Sequence, residues 1–377
     1  MAGIEISIVR DRADWRDFLN LPWLIYRGDP LWVPPLRDEV GRLLDQARHP
    51  FWRQARGQVF LARREGQAVG RLAALVDERH NQTHDERAGV FGFFECLRDP
   101  QAAMALFLAA EDWLRGQGMD FLRGPLNPSL NYEAGLLVQG FDTSPALMMT
   151  YNPPYYLDLL HGCGLRKEKD LISFRFPREH QWPSWIEELA RAAAERPEFS
   201  VVHADPRHLR QDILRMNQIF SECWRDNWGF VPMTDAEVLE SARGLKAILD
   251  PDLAFFLCHE GREVGVCLCL PDISPLLKRF NGRLGPSALW KRYRHWSEVR
   301  GVRGLLLGVQ EEYRQMGLPL LALFQMLAKL KNKPHYQYVE VGWDLEDNQS
   351  INNLYLDWGK QPDKRYRILR KPLRPGG

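Results

Sequence analysis

The sequence of 377 residues has little excess charge, no long apolar run and no regular cysteine pattern. Its 50 lysine and arginine residues nearly balance its 49 aspartate and glutamate residues, and a net charge of +1 argues against a protein that binds polyanions over its whole surface. No apolar run approaches the ~20 residues that cross a bilayer. The opening residues lack the basic and apolar regions of a signal peptide, so we expect a cytoplasmic protein.

The six cysteines form no Cys-x-x-Cys pair, and small buried apolar residues are the simplest interpretation of them. Cys267 and Cys269 lie two residues apart in a strand-like run, so their side chains share one face. His80 and His84 have the spacing of a zinc-protease pair, but Asn81 stands where such a site needs glutamate, and no third ligand is evident. We therefore expect no metal.

Two stretches, residues 58–176 and 253–359, show the same order of predicted elements. Each has two strands joined by a Glu-Gly turn, at Glu65-Gly66 and at Glu260-Gly261, then a third strand, an amphipathic helix and a fourth strand. The sequence therefore predicts an α/β protein of two tandem domains, residues 1–177 and 178–377, each a mixed central sheet flanked by helices.

The second stretch contains a candidate anion-binding turn. A strand over residues 304–309 leads to residues 314–317, and an apolar helix begins near Leu318. Unpaired N–H groups at the N-terminus of a helix bind phosphate. The corresponding segment of the first stretch, residues 95–100, has two acids and no glycine, so we expect phosphate binding only in the second half.

The order strand, turn, helix, strand and helix resembles the acyl-CoA site of the GNAT superfamily of N-acyltransferases. The resemblance implies that the turn holds the pyrophosphate of CoA and that the preceding strand pairs with the pantetheine arm, while backbone N–H groups near Gly308 and Val309 polarise the thioester carbonyl. The residues that it assigns to CoA are Leu307, Gly308, Val309, Arg314, Gln315, Met316, Gly317 and Leu318. Pro319 departs from the superfamily pattern, which has Gly or Ala there; it lacks an N–H but suits a first helical turn.

N-acylation from a thioester needs a neutral amine and a proton for the departing thiolate. Glu340, on a strand predicted over residues 338–343, is our first candidate for the general base, with a structural salt bridge as the alternative, because a buried carboxylate is costly unless it is paired or functional. Tyr355, on the next helix, would protonate the thiolate or pack in the core. Asn348 and Asn352 share a helix face that suits the pantetheine amides, although Asn348 also suits a helix cap.

The first half offers polar and aromatic loops, which more often line a ligand pocket than a core. Glu133 is the alternative general base. The residues expected to contact the acceptor substrate there are His80, Asn81, Asn127, Asn131, Tyr151 and Asn152.

Residues 275–303 carry eight Lys and Arg against one acid, Glu298, with interleaved apolar residues that include Trp290. This composition suits an anionic membrane surface, the 3′-phosphate of CoA or RNA, and Trp290 is assigned to substrate contact. The alternative is a solvated helical pair whose apolar stripe packs on the sheet.

Several segments together resemble the bacterial ceramide synthase-like family of tandem GNAT proteins. They are residues 26–35, 92–95, 123–127, 140–142, 151–155, 281–283, 346–348 and 364–368, the last reading Lys-Arg-Tyr-Arg-Ile. The resemblance implies transfer of a fatty acyl group from acyl-CoA to the amine of a sphingoid base, expected to be 3-ketosphinganine, by a peripheral membrane protein that binds no nucleic acid. The alternatives are a small-amine N-acetyltransferase, a tRNA-dependent aminoacyl transferase and a non-catalytic lipid-binding protein.

Overall fold

The computed structural model describes residues 3–373 and divides into two compact units. Unit 1 comprises the chain up to Ile172, Leu277–Lys291, and the chain from Lys364; unit 2 comprises Ser173–Leu276 and Arg292–Asp363. The boundary predicted near residue 178 lies close to the first break. Residues 277–291 and those from Lys364, which the prediction assigned to the second domain, group with unit 1.

The strands follow the chain in this order: β1 (Ile4–Ile8), β2 (Ala55–Arg64), β3 (Gln67–Asp77), β4 (Ala88–Cys96), β5 (Phe121–Gly124), β6 (Leu126–Asn127), β7 (Glu133–Ala134), β8 (Leu136–Gln139), β9 (Arg166–Pro177), β10 (Phe199–His203), β11 (Ala254–His259), β12 (Arg262–Pro271), β13 (Gly301–Val309), β14 (Tyr338–Leu345) and β15 (Lys364–Pro372).

The α-helices are α1 (Arg12–Ile25), α2 (Arg37–Leu43), α3 (Glu78–His84), α4 (Pro100–Gly116), α5 (Tyr156–Gly162), α6 (Ser184–Ala194), α7 (Leu209–Trp224), α8 (Asp235–Ser241), α9 (Ser274–Phe280), α10 (Ala288–His295), α11 (Glu311–Arg314), α12 (Leu318–Lys331) and α13 (Gln349–Asp357). Short 3₁₀ turns lie at Pro50–Gln54, Leu245–Ala247, Pro251–Leu253 and Trp296–Glu298.

Each unit contains a mixed sheet. In unit 1 the strand order is β1-β2-β3-β4-β5-β15-β9, with β8 beside β15; in unit 2 it is β9-β14-β13-β12-β11-β10, and the break between the units falls within β9. The pairs β4–β5 and β13–β14 are parallel, whereas β1 to β4 and β10 to β13 pair antiparallel along the chain. The predicted fold class is confirmed.

The repeated hairpin turns have the same backbone geometry in both units. Glu65 and Gly66 have φ of 50° and 77°, and Glu260 and Gly261 have φ of 50° and 78°. Two consecutive positive φ values fit the two-residue turns whose twist matches that of the flanking strands. The Glu-Gly pairs therefore determine where both hairpins turn.

One long helix covers a face of each sheet. In unit 1, Asp99 caps α4 by accepting from the N–H groups of Gln101 and Ala102, and the helix buries Leu106, Phe107 and other apolar residues in the core. In unit 2, α12 begins after Gly317 and buries Leu318 and Leu321 against the sheet. Among the described helices, none is both long and apolar enough to cross a membrane.

Candidate active site

The strands β13 and β14 of unit 2 form a fork. They pair in parallel from Gly301–Tyr338 to Arg303–Glu340, and beyond that point, in residues 3–373, they no longer pair. β13 nevertheless continues to Val309 along β12, and β14 continues to Leu345. The edge of β13 that faces away from β12 therefore offers backbone N–H and C=O groups to a ligand.

A bulge sits on β13 where the fork opens. Leu268 pairs with Leu306 and Cys269 pairs with Gly304, so Leu305 is the extra residue. A bulge bends its strand and re-aims the backbone groups beside it. Leu307 follows with 41% of its surface exposed, which is unusual for a leucine within a central strand. The carbonyl oxygen of Leu307 also accepts from the Trp224 indole at 3.3 Å.

The corresponding fork in unit 1 is filled by the chain itself. β4 and β5 pair from Ala88–Phe121 to Val90–Arg123, and β6 then lies against the continuing part of β4. The side-chain oxygen Oδ1 of Asn127 accepts from the Phe93 N–H at 2.6 Å, and a Cβ on Gly92 would lie 1.9 Å from the carbonyl oxygen of Leu126. No ligand backbone can enter without displacing this segment.

Glu340 lies at the vertex of the fork of unit 2, is fully buried, and pairs with Arg175 of β9. Nη2 of Arg175 donates to Oε2 of Glu340 at 2.6 Å and Nε donates to the same atom at 3.2 Å. Burial raises the pKa of Glu340, although Arg175 opposes the shift. Oε1 has no hydrogen-bond partner among the described residues. This arrangement is the salt-bridge alternative, and the role of general base stays a prediction.

Asp344 is a buried carboxylate on β14 that our sequence analysis did not single out. Its side-chain oxygen Oδ2 is buried without a hydrogen-bond partner in the described part of the chain. Burial raises its pKa to about 7, while the positive charge of Arg303 acts in the opposite direction. The strand was predicted to end at Trp343 but continues to Leu345. The same cost of burying a carboxylate that drew attention to Glu340 would have identified Asp344.

Tyr355 of α13 lies close to this carboxylate. Burial raises the pKa of the Tyr355 hydroxyl well above its usual value, the charge of Asp344 raises it further, and Arg303 lowers it. The ring also packs on Phe174 and Phe176, with centroids 4.6 and 5.7 Å away. Tyr355 therefore combines core packing with a position near Asp344 and Arg303, and its role as the acid stays a prediction.

The predicted phosphate turn has the backbone geometry of a helix start. Gly317 has φ of 97° and precedes α12, and a Cβ there would meet only the Cβ of Ala193 at 3.6 Å. The Arg314 guanidinium donates from Nε to the carbonyl of Val309 and from Nη2 to that of Cys223, each at 2.9 Å. Arg314 thus ties β13 to α7.

Two neighbours complete this turn. The carbonyl oxygen of Met316 accepts from Arg196 at 2.6 Å, and Gln315 ends the short helix α11. The side chains of Arg314 and Arg196 are engaged in hydrogen bonds to backbone carbonyls of this region. We therefore expect backbone N–H groups at the start of α12 to make any contact with phosphate.

Asn348 and Asn352 organise the connection from β14 to α13. Asn348 is the N-cap residue of α13, but its side chain makes no capping hydrogen bond. Nδ2 of Asn352 donates to the carbonyl of Leu345 at 2.8 Å, whereas Oδ1 is buried without a hydrogen-bond partner in residues 3–373. A contact of Asn352 with a pantetheine amide stays a prediction.

Several predicted substrate contacts of unit 1 are engaged with the protein backbone. Asn81 bridges the N–H and carbonyl of Ala88, and Asn152 bridges those of Leu137. His80 lies 3.1 Å from a carboxylate oxygen of Glu86. The side-chain amides of Asn81 and Asn152 therefore stabilise loops. A substrate role for these residues and for His80 stays a prediction.

The remaining predicted residues of unit 1 lie in an aromatic and acidic region. Nδ2 of Asn127 approaches Oε2 of Glu133 at 3.4 Å, and burial raises the pKa of Glu133. Tyr151 donates to Asp29 at 2.8 Å. Asn131 donates its backbone N–H to Ser129 at 3.3 Å. A role of these residues in binding the acceptor substrate stays a prediction.

The basic segment, residues 275–303, exposes apolar side chains. Leu289, Trp290 and Tyr293 of α10 are 78%, 63% and 87% exposed, so the alternative of an apolar stripe that packs on the sheet is not what α10 adopts. Trp290 stands on a solvent-facing surface.

A solved structure of a tandem GNAT protein from the clavulanic acid biosynthesis pathway aligns over 99% of this chain and 100% of its own, with a TM-score of 0.60 and 14% identity. Two mixed sheets, each with a parallel strand pair that forks, therefore define a tandem GNAT-fold protein.

Two curated relatives show the family to which the chain belongs. A "Bacterial ceramide synthase" from Caulobacter vibrioides is 31% identical over 99% of this chain and 98% of its own, and "Protein YghO" from Escherichia coli K12 is 31% identical over 96% and 94%. No protein-family model matches the sequence. The chain belongs to the bacterial ceramide synthase family, within the acyl-CoA-dependent N-acyltransferases.

Proposed function

We propose that this protein transfers a fatty acyl group from acyl-CoA to the amine of a sphingoid base, with 3-ketosphinganine as the acceptor. The observation that carries the proposal is the asymmetry of the two forks. The fork between β13 and β14 is open along β13, whereas Asn127 and Leu126 fill the fork of unit 1. One chain then has one donor site.

The donor would lie along β13. The amides of the pantetheine arm would extend the sheet along residues 304–309, where β13 no longer pairs with β14, and the pyrophosphate would meet the backbone at Gly317 and Leu318. The bulge at Leu305 turns backbone groups toward the thioester carbonyl. Oδ1 of Asn352 is available to a pantetheine N–H.

The reaction forms an amide and breaks a thioester. The neutral amine attacks the acyl carbon, negative charge develops on the carbonyl oxygen, and collapse expels the CoA thiolate, which takes a proton. Tyr355, which lies near Asp344 and Arg303, would be that proton source. A 2-amino ketone is less basic than an ordinary alkylamine, so a weak base suffices to deprotonate it.

Contact with a membrane surface belongs to the same proposal, because both substrates carry long chains. α10 exposes Leu289 and Trp290 beside Lys291, and residues 275–297 contain no acid. Apolar side chains among basic ones suit an anionic lipid surface. Near the start of this segment, the side-chain oxygen of Asn281 accepts from the Trp23 indole at 2.6 Å, which fixes that part of the segment within unit 1.

The test is direct. Purified protein is incubated with acyl-CoA donors from acetyl to long-chain and with 3-ketosphinganine, and the amide is followed by mass spectrometry. We expect a long-chain amide together with equimolar free CoA. Absence of amide with every donor would refute the proposal, and a preference for acetyl-CoA with small soluble amines would favour an N-acetyltransferase.

A further inference from the structure

Asp344 is a buried carboxylate with one oxygen that no described residue satisfies by a hydrogen bond. It is only 7% exposed, and its Oδ2 has no hydrogen-bond partner among residues 3–373. By contrast, the carboxylate of Glu340 is held by Arg175. Burying an uncompensated carboxylate destabilises a protein, so a chain keeps one where function uses it.

The position of Asp344 supports such a use. It lies on β14 beyond Glu340, the residue at which β14 stops pairing with β13. The charge that acts on Asp344 is that of Arg303 on β13, and Tyr355 of α13 responds to Asp344, to Arg303 and to the thiol of Cys269 on β12. Nη1 of Arg303 is directed to the carbonyl oxygens of Gly304 and Glu340, and it offsets the charge of Asp344 without a hydrogen bond to Oδ2.

We infer that Asp344 is the general base that takes the proton from the acceptor ammonium in the fork of unit 2. The inference rests on the proposed function. The Oδ2 lone pair accepts one proton from the ammonium and later releases it to solvent, and the neutral nitrogen attacks the thioester carbon. The C–S bond breaks as the amide forms, the thiolate takes a proton from Tyr355, and the second proton lost by the nitrogen restores the Tyr355 hydroxyl. No other reactant is needed.

The environment of Asp344 suits this task. A base works best when its pKa lies near the working pH, and burial places the pKa of Asp344 at about 7. Glu340 is less suited, because accepting a proton would break its pair with Arg175. The two carboxylates of β14 therefore have different roles: Glu340 holds β9 to β14, and Asp344 exchanges the proton.

The experiment compares the wild-type enzyme with Asp344→Asn and with Asp212→Asn. Asp212 is also buried, but it pairs with Arg215 on α7, so its variant controls for the loss of a buried carboxylate. kcat for the amide is measured from pH 6 to pH 9.5, and acyl-CoA affinity is measured separately by calorimetry. We expect Asp344→Asn to lose about a hundredfold or more in kcat at pH 7, with acyl-CoA affinity within threefold of the wild type.

The pH profile separates a base from a residue that only supports the fold. For the wild type, kcat should level off above about pH 7, whereas for Asp344→Asn it should rise by about tenfold per pH unit until the pH reaches the pKa of the acceptor amine, because only the spontaneously neutral amine reacts. An Asp344→Asn variant that has a wild-type profile, or a uniform loss shared with Asp212→Asn, would overturn the inference while leaving the proposed function intact. A wild type without amide would overturn both.

Discussion

Arg175 donates two hydrogen bonds to a single carboxylate oxygen of Glu340, from Nη2 at 2.6 Å and from Nε at 3.2 Å. The partners are far apart in sequence, on β9 and β14. Because burial still raises the pKa of Glu340, the attraction does not fully offset the loss of hydration of the carboxylate. The pair therefore specifies how these strands meet more than it adds net stability.

Removing one partner of this pair should lower the free energy of unfolding markedly, whereas replacing both partners by apolar residues should lower it only a little. Glu340→Ala leaves Arg175 with only the more distant carboxylate of Asp363, at 3.9 Å, and should lower the free energy of unfolding by about 3–5 kcal/mol. Arg175→Met combined with Glu340→Leu should recover most of that loss. Urea unfolding measures both variants. A Glu340→Gln enzyme with full stability and no amide formation would instead make Glu340 the base.

Asp344 should make the stability of the protein fall as the pH rises. The folded chain keeps a proton on Asp344 up to about pH 7, whereas an unfolded chain releases it near pH 4. Between these values the folded state holds more protons, so the wild type loses stability as the pH rises through this window.

Asp344→Asn removes this loss. At pH 8 the variant should be more stable than the wild type by up to about 4 kcal/mol, and near pH 4 the two should be equal. Thermal unfolding at both pH values tests this expectation. A variant that is less stable than the wild type at pH 8 would mean that Asp344 has a stabilising partner.

The phosphate turn can be tested at Gly317 with a matched pair of variants. Gly317→Ala and Gly317→Asp carry the same backbone strain, because φ is 97°, and a Cβ there meets only Ala193 at 3.6 Å. Only the aspartate adds negative charge at the start of α12. We expect Gly317→Asp to weaken CoA binding at least tenfold relative to Gly317→Ala, measured by calorimetry. Equal affinities would mean that the turn serves only the fold.

The exposed face of α10 should bind anionic vesicles. Leu289→Ser combined with Trp290→Ser should lose most sedimentation with phosphatidylglycerol vesicles and keep the fold, because both side chains are largely exposed. Trp185→Ser is the control, since Trp185 is 46% exposed on α6 without this basic surrounding. Wild-type binding should weaken with salt. Equal sedimentation of all three proteins would remove α10 from the membrane contact.

Local signals predicted much of the fold. The Glu-Gly turns and the alternation of apolar residues gave both hairpins. These features depend on residues close in sequence. The grouping of residues 277–291 with unit 1 depends on tertiary contacts that no local pattern contains.

The site was less predictable for the same reason. Glu340 was identified as a buried carboxylate, but its partner Arg175 lies in the other predicted domain. Sequence spacing therefore gave no sign of the pair. The substrate role predicted for Asn127 stays a prediction, but sequence gave no sign that its side-chain oxygen Oδ1 accepts from the Phe93 N–H in the fork of unit 1. Asp344 lay beyond the predicted end of its strand.

The central claim is that one chain has one donor site, in the fork of unit 2. The most direct measurement is the binding stoichiometry of a non-transferable thioether analogue of a long-chain acyl-CoA, by calorimetry on the full chain. We predict one molecule bound per chain, with Gly317→Asp weakening that single event. Two molecules per chain, or none, would contradict the account.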